Sequence, residues 1–222
     1  MLVRRRGDVM QTKETMMSVK PFAITLDVGT SLANRTGSWR TLKPVYVDRL
    51  PPCNAKCPAG EQCQAWLFHA QSGNYENAWK QIIEDNPFPA VMGRVCYHTC
   101  QGACNRNGID EPVGINAVER FLGDYALEKG WQLPVPAADT GKRILIVGAG
   151  PAGLSAAYQL RRLGHAVHVV ESAEAAGGMM RYGIPKYRLP REVLDQEIAR
   201  IAALGVEFEF GREVKDLNAE MK

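Results

Sequence analysis

The sequence predicts an α + α/β protein in which a cysteine-bearing helical domain precedes a parallel sheet with helical crossovers. Three observations carry that expectation. All six cysteines lie between Cys53 and Cys104. After the proline-rich run LPVPAADTG at 133–141 the hydrophobic period changes from purely helical to strand–helix alternation. The glycine-rich run GAGPAG at 148–153 falls between an apolar strand and a helix. These boundaries predict a mobile tail over 1–40, a helical domain over 41–132, a linker over 133–141 and an α/β unit over 142–222.

At 222 residues the chain is long enough to bury one or two cores. Its 27 basic and 24 acidic side chains leave a net charge of +3. That near balance argues against a nucleic-acid partner. The opening MLVRRRGDVMQTKETMM has arginines with no apolar run behind them, so no secretory signal is read and a cytoplasmic location is expected. The uncharged stretch 144–160 contains Gly148, Gly150, Pro151 and Gly153. It falls short of the roughly 20 apolar residues that span a bilayer, so no membrane span is expected.

Residues 1 to about 40 lack sustained periodicity, and Lys43 to Pro52 reads as extended chain whose stiff pair Pro51-Pro52 presents Cys53. Helices are expected over 61–71, around Trp66, Leu67 and Ala70, and over 74–85, around Ala78, Trp79, Ile82 and Ile83, with Gly73 turning the chain between them. Asn86-Pro87-Phe88-Pro89 and the Cys96 to Cys104 loop follow. Val118, Phe121, Leu122, Tyr125 and Ala126 mark a third helix over 115–129, stopped by Gly130. Beyond the linker come a strand at 144–147, a helix at 152–163, a strand at 167–170 and a glycine-containing loop. A helix at 191–204, with Val193, Leu194, Ile198 and Ile201 inward, leads to a strand at 206–210. Strand, helix, strand in this rhythm implies parallel pairing with right-handed crossovers.

Gly148-Ala149-Gly150-Pro151-Ala152-Gly153 matches GxGxxG in the context that gives the motif meaning. Gly148 permits the tight turn, Gly150 lets the backbone approach a pyrophosphate, and Gly153 lets the helix pack on the strand. The phosphate charge would face the helix N-terminus. Glu171, closing the second strand, can accept both hydroxyls of a ribose. The turn alone leaves flavin and nicotinamide dinucleotides both open. The run ESAEAAGGM at 171–179 offers a paired glycine that lets the loop pass over an extended cofactor.

The thiol spacing also leaves two chemistries open. Cys53-x3-Cys57 and Cys96-x3-Cys100 would suit a tetrahedral zinc. Six thiols exceed the need of one zinc, however, and Pro58 after Cys57 is the Cys-Pro step of ferredoxin-type ligation. With no export signal read, metal or redox chemistry is expected rather than disulfides.

The runs RILIVGAGPAGLSAAYQLRRLGHAVHVVES and GGMMRYGIPKYRLPREV, with PPCNAKCPAG and NPFPAVMGRVCYHTCQGAC before them, closely resemble the small (beta) subunit of NADPH-dependent glutamate synthase and its relatives. These share an amino-terminal arrangement with dihydropyrimidine dehydrogenase. The resemblance covers about 48–214. It implies a helical 4Fe-4S domain followed by the first part of a Rossmann-like FAD-binding sheet, with NADPH taken by a domain this chain does not carry. Carried across, it implies that Gly148, Gly150, Pro151 and Ala152 line the FAD pyrophosphate turn, that Glu171 holds the ribose, and that Gly178, Met179, Arg188 and Val95 touch the cofactor. It further implies one cluster on Cys57, Cys96 and Cys100, with Glu119 as fourth ligand. Glu119 lies at the border of its helix's apolar stripe, where an inward and a solvated position are both open. Cys53 and Cys104 match a second cluster whose other ligands are missing, since no cysteine precedes Cys53. One cluster is therefore the expectation. Cys63 falls where relatives usually have no cysteine, as a substitute ligand or a buried thiol.

The function so implied is electron transfer from NAD(P)H through flavin to a cluster and on to an electron-accepting partner, such as a glutamate synthase large subunit. No side chain is expected to act as a catalytic acid or base. The chain reaches Lys222 with no second glycine-rich motif, so it is expected to be a fragment, or to be completed by a partner, and not to oxidise NADPH alone. The alternative is a zinc-stabilised docking module with a vestigial or nicotinamide-binding nucleotide fold.

Overall fold

Residues 50–220 are described in the computed structural model, so the expected tail and most of the extended lead-in lie outside them. The described chain opens with α1 (Pro52–Lys56), a helical turn that begins at the last residue of the expected extended lead-in. Pro52 occupies the first helical position, where its fixed φ is pre-organised and its missing N–H costs nothing. Helices α2 (Cys63–Gln71) and α3 (Tyr75–Ile82) form the expected hairpin. An unforeseen helix, α4 (Pro89–Val95), follows, again opened by proline. A short turn α5 (Thr99–Gly102) and a 3-10 turn at Asn105–Gly108 lead into α6 (Ile115–Lys129). Helix α6 keeps its expected bounds. Gly130 takes a left-handed φ of 66°, and Trp131 N–H donates back to the Ala126 carbonyl at 3.1 Å.

The inward face of α6 differs from the expectation. Ile115, Asn116, Glu119, Leu122, Gly123 and Ala126 are buried, whereas Phe121 is 46% exposed. Phe121 instead stacks on Tyr125 and meets Tyr75 edge-on. The cause is the crossing with α4. A Cβ on Gly123 would lie 2.3 Å from the Ala90 nitrogen, and one on Gly93 would lie 2.4 Å from the Arg120 Cα. Backbone meets backbone at both points, and the Arg94 guanidinium holds Asp124 through two bonds of 2.6 and 3.0 Å. Gly123→Ala is accordingly expected to destabilise by about 1–3 kcal/mol through overpacking, outweighing the roughly 1 kcal/mol gained in helix propensity. A thermal midpoint equal to or above that of the parent would show that this crossing is not tight.

The α/β part comprises β1 (Arg143–Val147), α7 (Pro151–Arg162), β2 (Ala166–Val170), α8 (Met179–Tyr182), α9 (Arg191–Ala203), β3 (Glu207–Glu209) and a last turn α10 (Leu217–Glu220). The sheet is parallel in the order β1-β2-β3, with Ile144 opposite Val167 and Val169 opposite Phe208. Among the described residues β1 pairs only with β2, and Val147 is 51% exposed although its strand is wholly apolar from Ile144 onward.

The helical and α/β parts share an apolar core. Trp79, Val91 and Ala126 belong to the same cluster as Ala149, Tyr158, Leu194 and Ile201. Polar clamps cross the same boundary. Tyr158 Oη donates to the Ile83 carbonyl at 2.7 Å, and Gln159 and Arg162 reach the Glu84 carbonyl, so α7 satisfies the carbonyls left over after α3. From α9, the fully buried Glu197 accepts the Ala90 and Val91 N–H groups at 2.9 and 3.0 Å. Arg200 donates to the Ala126 carbonyl at 2.6 Å and lies over the Trp79 ring. No helix among the described residues is long and apolar enough to cross a membrane.

Candidate functional site

A second apolar cluster gathers the thiols. Cys63 and Cys100 are buried with Trp66, Ile82, Ile115 and Leu122, and Cys53 and Cys57 pack against them. Cys57 ends α1, Cys63 opens α2 and Cys100 lies in α5, so three separate helical segments deliver sulfur to one place. Ligand atoms of Cys57, Cys63 and Glu61 all lie within 4.8 Å of one another. Interaction with the Cys63 thiol lowers Cys57 to about 6 against the opposing effect of burial, helped by the N–H groups of Glu61, Ala59 and Gly60. Cys100 falls to about 7 for the same first reason, aided by the Gln101 N–H. Cys63 itself is pushed far up, first by its interactions with Cys100 and Cys57 and then by burial.

Cys96 follows α4 directly. His98, the one non-glycine residue with positive φ among those described (57°), turns its N–H onto Cys96 Sγ at 3.4 Å. Burial raises Cys96, with a smaller contribution from Glu119. Glu119 faces inward, which settles its sequence-level ambiguity. The Asn86 amide donates to Glu119 at 3.0 Å and to Glu61 at 2.8 Å, while its own oxygen takes the Phe88 N–H. Burial followed by the charge of Cys57 pushes Glu61 up to about 7. Burial followed by Glu61 pushes Glu119 well above the usual carboxylate range. Cys53 packs against this cluster and is raised by burial, whereas Cys104 is half-buried beside Cys53 and lies outside the cluster. The sequence reading missed Glu61 and Asn86. Glu61 sits between two cysteines in CPAGEQC, which is the only trace it left.

The second candidate site is the cradle between β1 and α7. Gly148 has φ 99°, and Gly150 precedes α7 with no side-chain cap, leaving first-turn N–H groups free for an anion. Gly177 and Gly178 have φ of 125° and 48°, and Gly177 N–H donates to the Ala149 carbonyl at 2.8 Å. A Cβ on Gly178 would lie 2.7 Å from the Gly150 Cα, so the two glycine segments meet backbone to backbone. Pro151, Ala152 and Met179 are exposed around this contact and Gly153 is half-buried. Glu171 accepts the Ala149 and Ala173 N–H groups at 2.6 and 2.8 Å. Burial pushes its carboxyl up, but these bonds and the Ser172 hydroxyl outweigh burial and hold it low. Arg188 is exposed and its side chain makes no hydrogen bond or ion pair among the described residues. Two arginines that sequence reasoning overlooked instead set the loop. Arg181 bonds the Ala176 carbonyl and pairs with Asp195, and Arg191 bonds the carbonyls of Met180, Ile184 and Leu189.

Helix α4 links the two sites. Val95 packs against the core that contains Ala149 and Met180, and the next residue is Cys96.

A protein-family model described as dihydropyrimidine dehydrogenase domain II, 4Fe-4S cluster, matches residues 48–131, and one described as NAD(P)-binding Rossmann-like domain matches 146–199. A helical iron–sulfur domain is thus followed by a Rossmann-like NAD(P)-binding domain. Among curated proteins, the PreT subunit of NAD-dependent dihydropyrimidine dehydrogenase from Salmonella typhimurium is 40% identical over 165 residues, covering 73% of this chain and 40% of its own. The NADPH glutamate synthase small chain of Mycobacterium tuberculosis is 36% identical over 173 residues, 77% of this chain and 36% of its own. The chain is homologous to these oxidoreductase subunits. A beta subunit of NADP(+)-dependent formate dehydrogenase from Moorella thermoacetica is 39% identical over 178 residues, 70% of this chain and 25% of that one. The chain thus spans a quarter to two fifths of the length of these relatives.

Proposed function

We propose that this chain is the flavin- and cluster-bearing part of an NAD(P)H-linked oxidoreductase that passes electrons to a partner subunit in a reducing, cytoplasmic setting. The observation that supports this best is the continuity through α4 of a thiol pocket and a double-glycine cradle. The donor sets fit the groups proposed. Several thiols converge with N–H groups aimed at sulfur, which suits thiolate-bound iron and tunes its potential. A Cβ on Gly148 would meet nothing within 4 Å and one on Gly150 only the Gly178 Cα at 3.9 Å, so the turn presents open, side-chain-free backbone, which suits a pyrophosphate. When bound, FAD takes up an electron pair from a nicotinamide and releases electrons singly, and the cluster carries one at a time.

In this reading the chain's own residues bind and orient. The free N–H groups at the start of α7 hold the diphosphate charge, with Gly148, Gly150, Pro151, Ala152 and Gly153 shaping the turn. Glu171, kept ionised by its N–H partners, accepts ribose hydroxyls. Gly178 and Met179 cover the cofactor by their backbone, Val95 closes the flavin side, and Arg188 is free to take a phosphate oxygen. Cys57, Cys96 and Cys100 supply thiolates to a single cluster, and Cys53 and Cys104 are left over. The nicotinamide and the final acceptor, such as a glutamate synthase large subunit, bind outside this stretch.

Iron, sulfide, zinc and flavin measured on one anaerobic preparation test the reading. The expected result is about four iron, four sulfide and one FAD per chain, with the FAD not displaced by NADPH. Stoichiometric zinc without iron and sulfide would instead support a zinc-stabilised module, and displacement of the flavin by NADPH would reassign the cradle.

A further inference from the structure

We propose that Glu197 is a positioning residue for electron passage, fixing α4 so that Val95 on the flavin side and Cys96 on the cluster side keep one separation. This rests on the flavin and cluster reading above and adds the side chain that sets the distance between the two groups.

Helix α4 cannot fix its own place. It has seven residues, too few for a helix to hold by itself in water, and its N-cap residue Phe88 offers no side-chain cap to the first-turn N–H groups. Its body belongs to the cluster half. The Gly93 and Gly123 contacts and the Arg94–Asp124 pair bind it to α6, and the Asn116 amide donates to the Met92 carbonyl at 3.2 Å. Toward the α/β part, the only hydrogen bonds of α4 among the described residues run from the Ala90 and Val91 N–H groups to the two oxygens of Glu197, at 2.9 and 3.0 Å. The same stretch of α9 holds the cradle. Asp195 pairs with Arg181, which bonds the Ala176 carbonyl, and a Cβ on Gly177 would lie 3.1 Å from Leu194 Cδ2. Leu194 and Glu197 stand three residues apart on one face of α9, so a single helical turn grips both sites. Stability alone needs no such device, because a serine or aspartate at position 88 would cap α4 locally. Here a carboxyl group 107 residues away along the chain is buried entirely to do it, at a cost in desolvation. What that placement adds is a fixed distance between α9 and α4.

The test uses the full chain, loaded anaerobically with FAD, iron and sulfide, as wild type, Glu197→Gln, Glu197→Asp and Tyr158→Phe. The last is a control that loses the bond to the Ile83 carbonyl without touching α4. A carboxyl group offers an acceptor at both oxygens and an amide at one, while aspartate falls a methylene short. On samples matched for iron and flavin content, a light pulse with an external photoreductant reduces the flavin. Transfer of one electron from the reduced flavin to the oxidised cluster is then timed by absorbance. Both Glu197 variants are expected to slow that step roughly ten- to a hundredfold, as a shift of about 1 Å set far from the chemistry can do. They are also expected to alter the relaxation of the flavin electron spin by the reduced cluster, which reads the separation directly. Tyr158→Phe is expected to leave both at the parental value. Parental rate and relaxation in Glu197→Gln and Glu197→Asp overturn the proposal, and so does an equal slowing in Tyr158→Phe. Wild type alone supplies a second test, free of any variant's folding. Its Ala90 and Val91 N–H groups are expected to exchange with deuterium as slowly as the hydrogen-bonded N–H groups of Met92 and Cys96. Exchange at the fast rate of uncapped first-turn groups overturns the proposal. A wild-type chain that takes up no flavin or no cluster overturns the reading beneath it, a result distinct from all of these.

Discussion

Glu197→Ala is expected to be among the most damaging single substitutions in this chain, lowering stability by about 3–5 kcal/mol. The substitution strips the acceptor from two buried N–H groups at the start of α4, at about 1–3 kcal/mol for each donor left unpaired, and opens a cavity in a fully buried position. Against a usual total of about 5–15 kcal/mol, that is a large fraction. Because α4 ends at Val95 and Cys96, the same change is expected to reduce retained iron before the sheet unfolds. A denaturant midpoint shift worth less than about 1 kcal/mol would show that water or a neighbouring group takes over the two N–H groups.

Glu197 also gives the stability a pH dependence of defined sign. Burial pushes its carboxyl up to about 8, against the pull of the Ala90 and Val91 N–H groups and of Arg200 and Arg94. The unfolded chain ionises in the ordinary carboxylate range. Between that range and about 8 the folded state therefore holds the extra proton, so stability is fullest at low pH and falls as pH rises through the window. Glu61, raised to about 7, and Glu119, raised well above its ordinary value, add slopes of the same sign. Glu197→Gln removes one titrating group, so the fall between pH 5 and 8 is expected to become shallower by up to about 1.4 kcal/mol per pH unit. Urea titrations of parent and variant at four pH values measure it. Parallel curves would place Glu197 in its ionised form throughout.

Where the sequence was legible, the reason was local. The strand–turn–helix around Gly148 is written in contiguous residues, and the bounds of α6 follow from one apolar stripe and one glycine. Helix α4 was hidden because Asn86-Pro87-Phe88-Pro89 carries loop formers, although proline at a first helical position starts a helix as readily as it ends one. The face of α6 was misjudged because Gly123 and Gly93 contribute nothing to a hydrophobic pattern while fixing which side lies against α4. Glu197 and Arg200 lie between the apolar residues of α9 and carry no local signal of burial, and only the docked helical part gives them buried partners. At the thiol site the resemblance, not the spacing, implied Cys57, Cys96 and Cys100. That Cys63 lies with Cys57 and Cys100 depends on α1, α2 and α5 coming together, which no local pattern states.

The cradle offers a contrast between two glycines that share a motif and differ in what surrounds them. A Cβ on Gly153 would lie 1.9 Å from the Gly148 carbonyl oxygen and 3.3 Å from Ile146 Cγ2. Neither the turn nor the strand can yield cheaply, so Gly153→Ala must push α7 off β1, at an overpacking cost of about 1–3 kcal/mol. The displaced α7 carries the N–H groups proposed to hold the diphosphate, so FAD affinity is expected to fall at least tenfold, the equivalent of about 1.4 kcal/mol. Gly178→Ala meets the Gly150 Cα at 2.7 Å and must adopt φ 48° and ψ −126°, a sparsely populated backbone conformation costing alanine about 1–3 kcal/mol. It leaves the β1–α7 packing alone, so flavin binding should weaken with a smaller change in thermal midpoint than Gly153→Ala produces. The thiol pocket is built on α1, α2, α3, α5 and α6, with Cys96 at the end of α4, and neither substitution touches these helices, so both variants are expected to keep parental iron content. Flavin fluorescence titration and iron analysis on the same samples separate these outcomes, and parental FAD affinity in Gly153→Ala would remove the cradle from the flavin site.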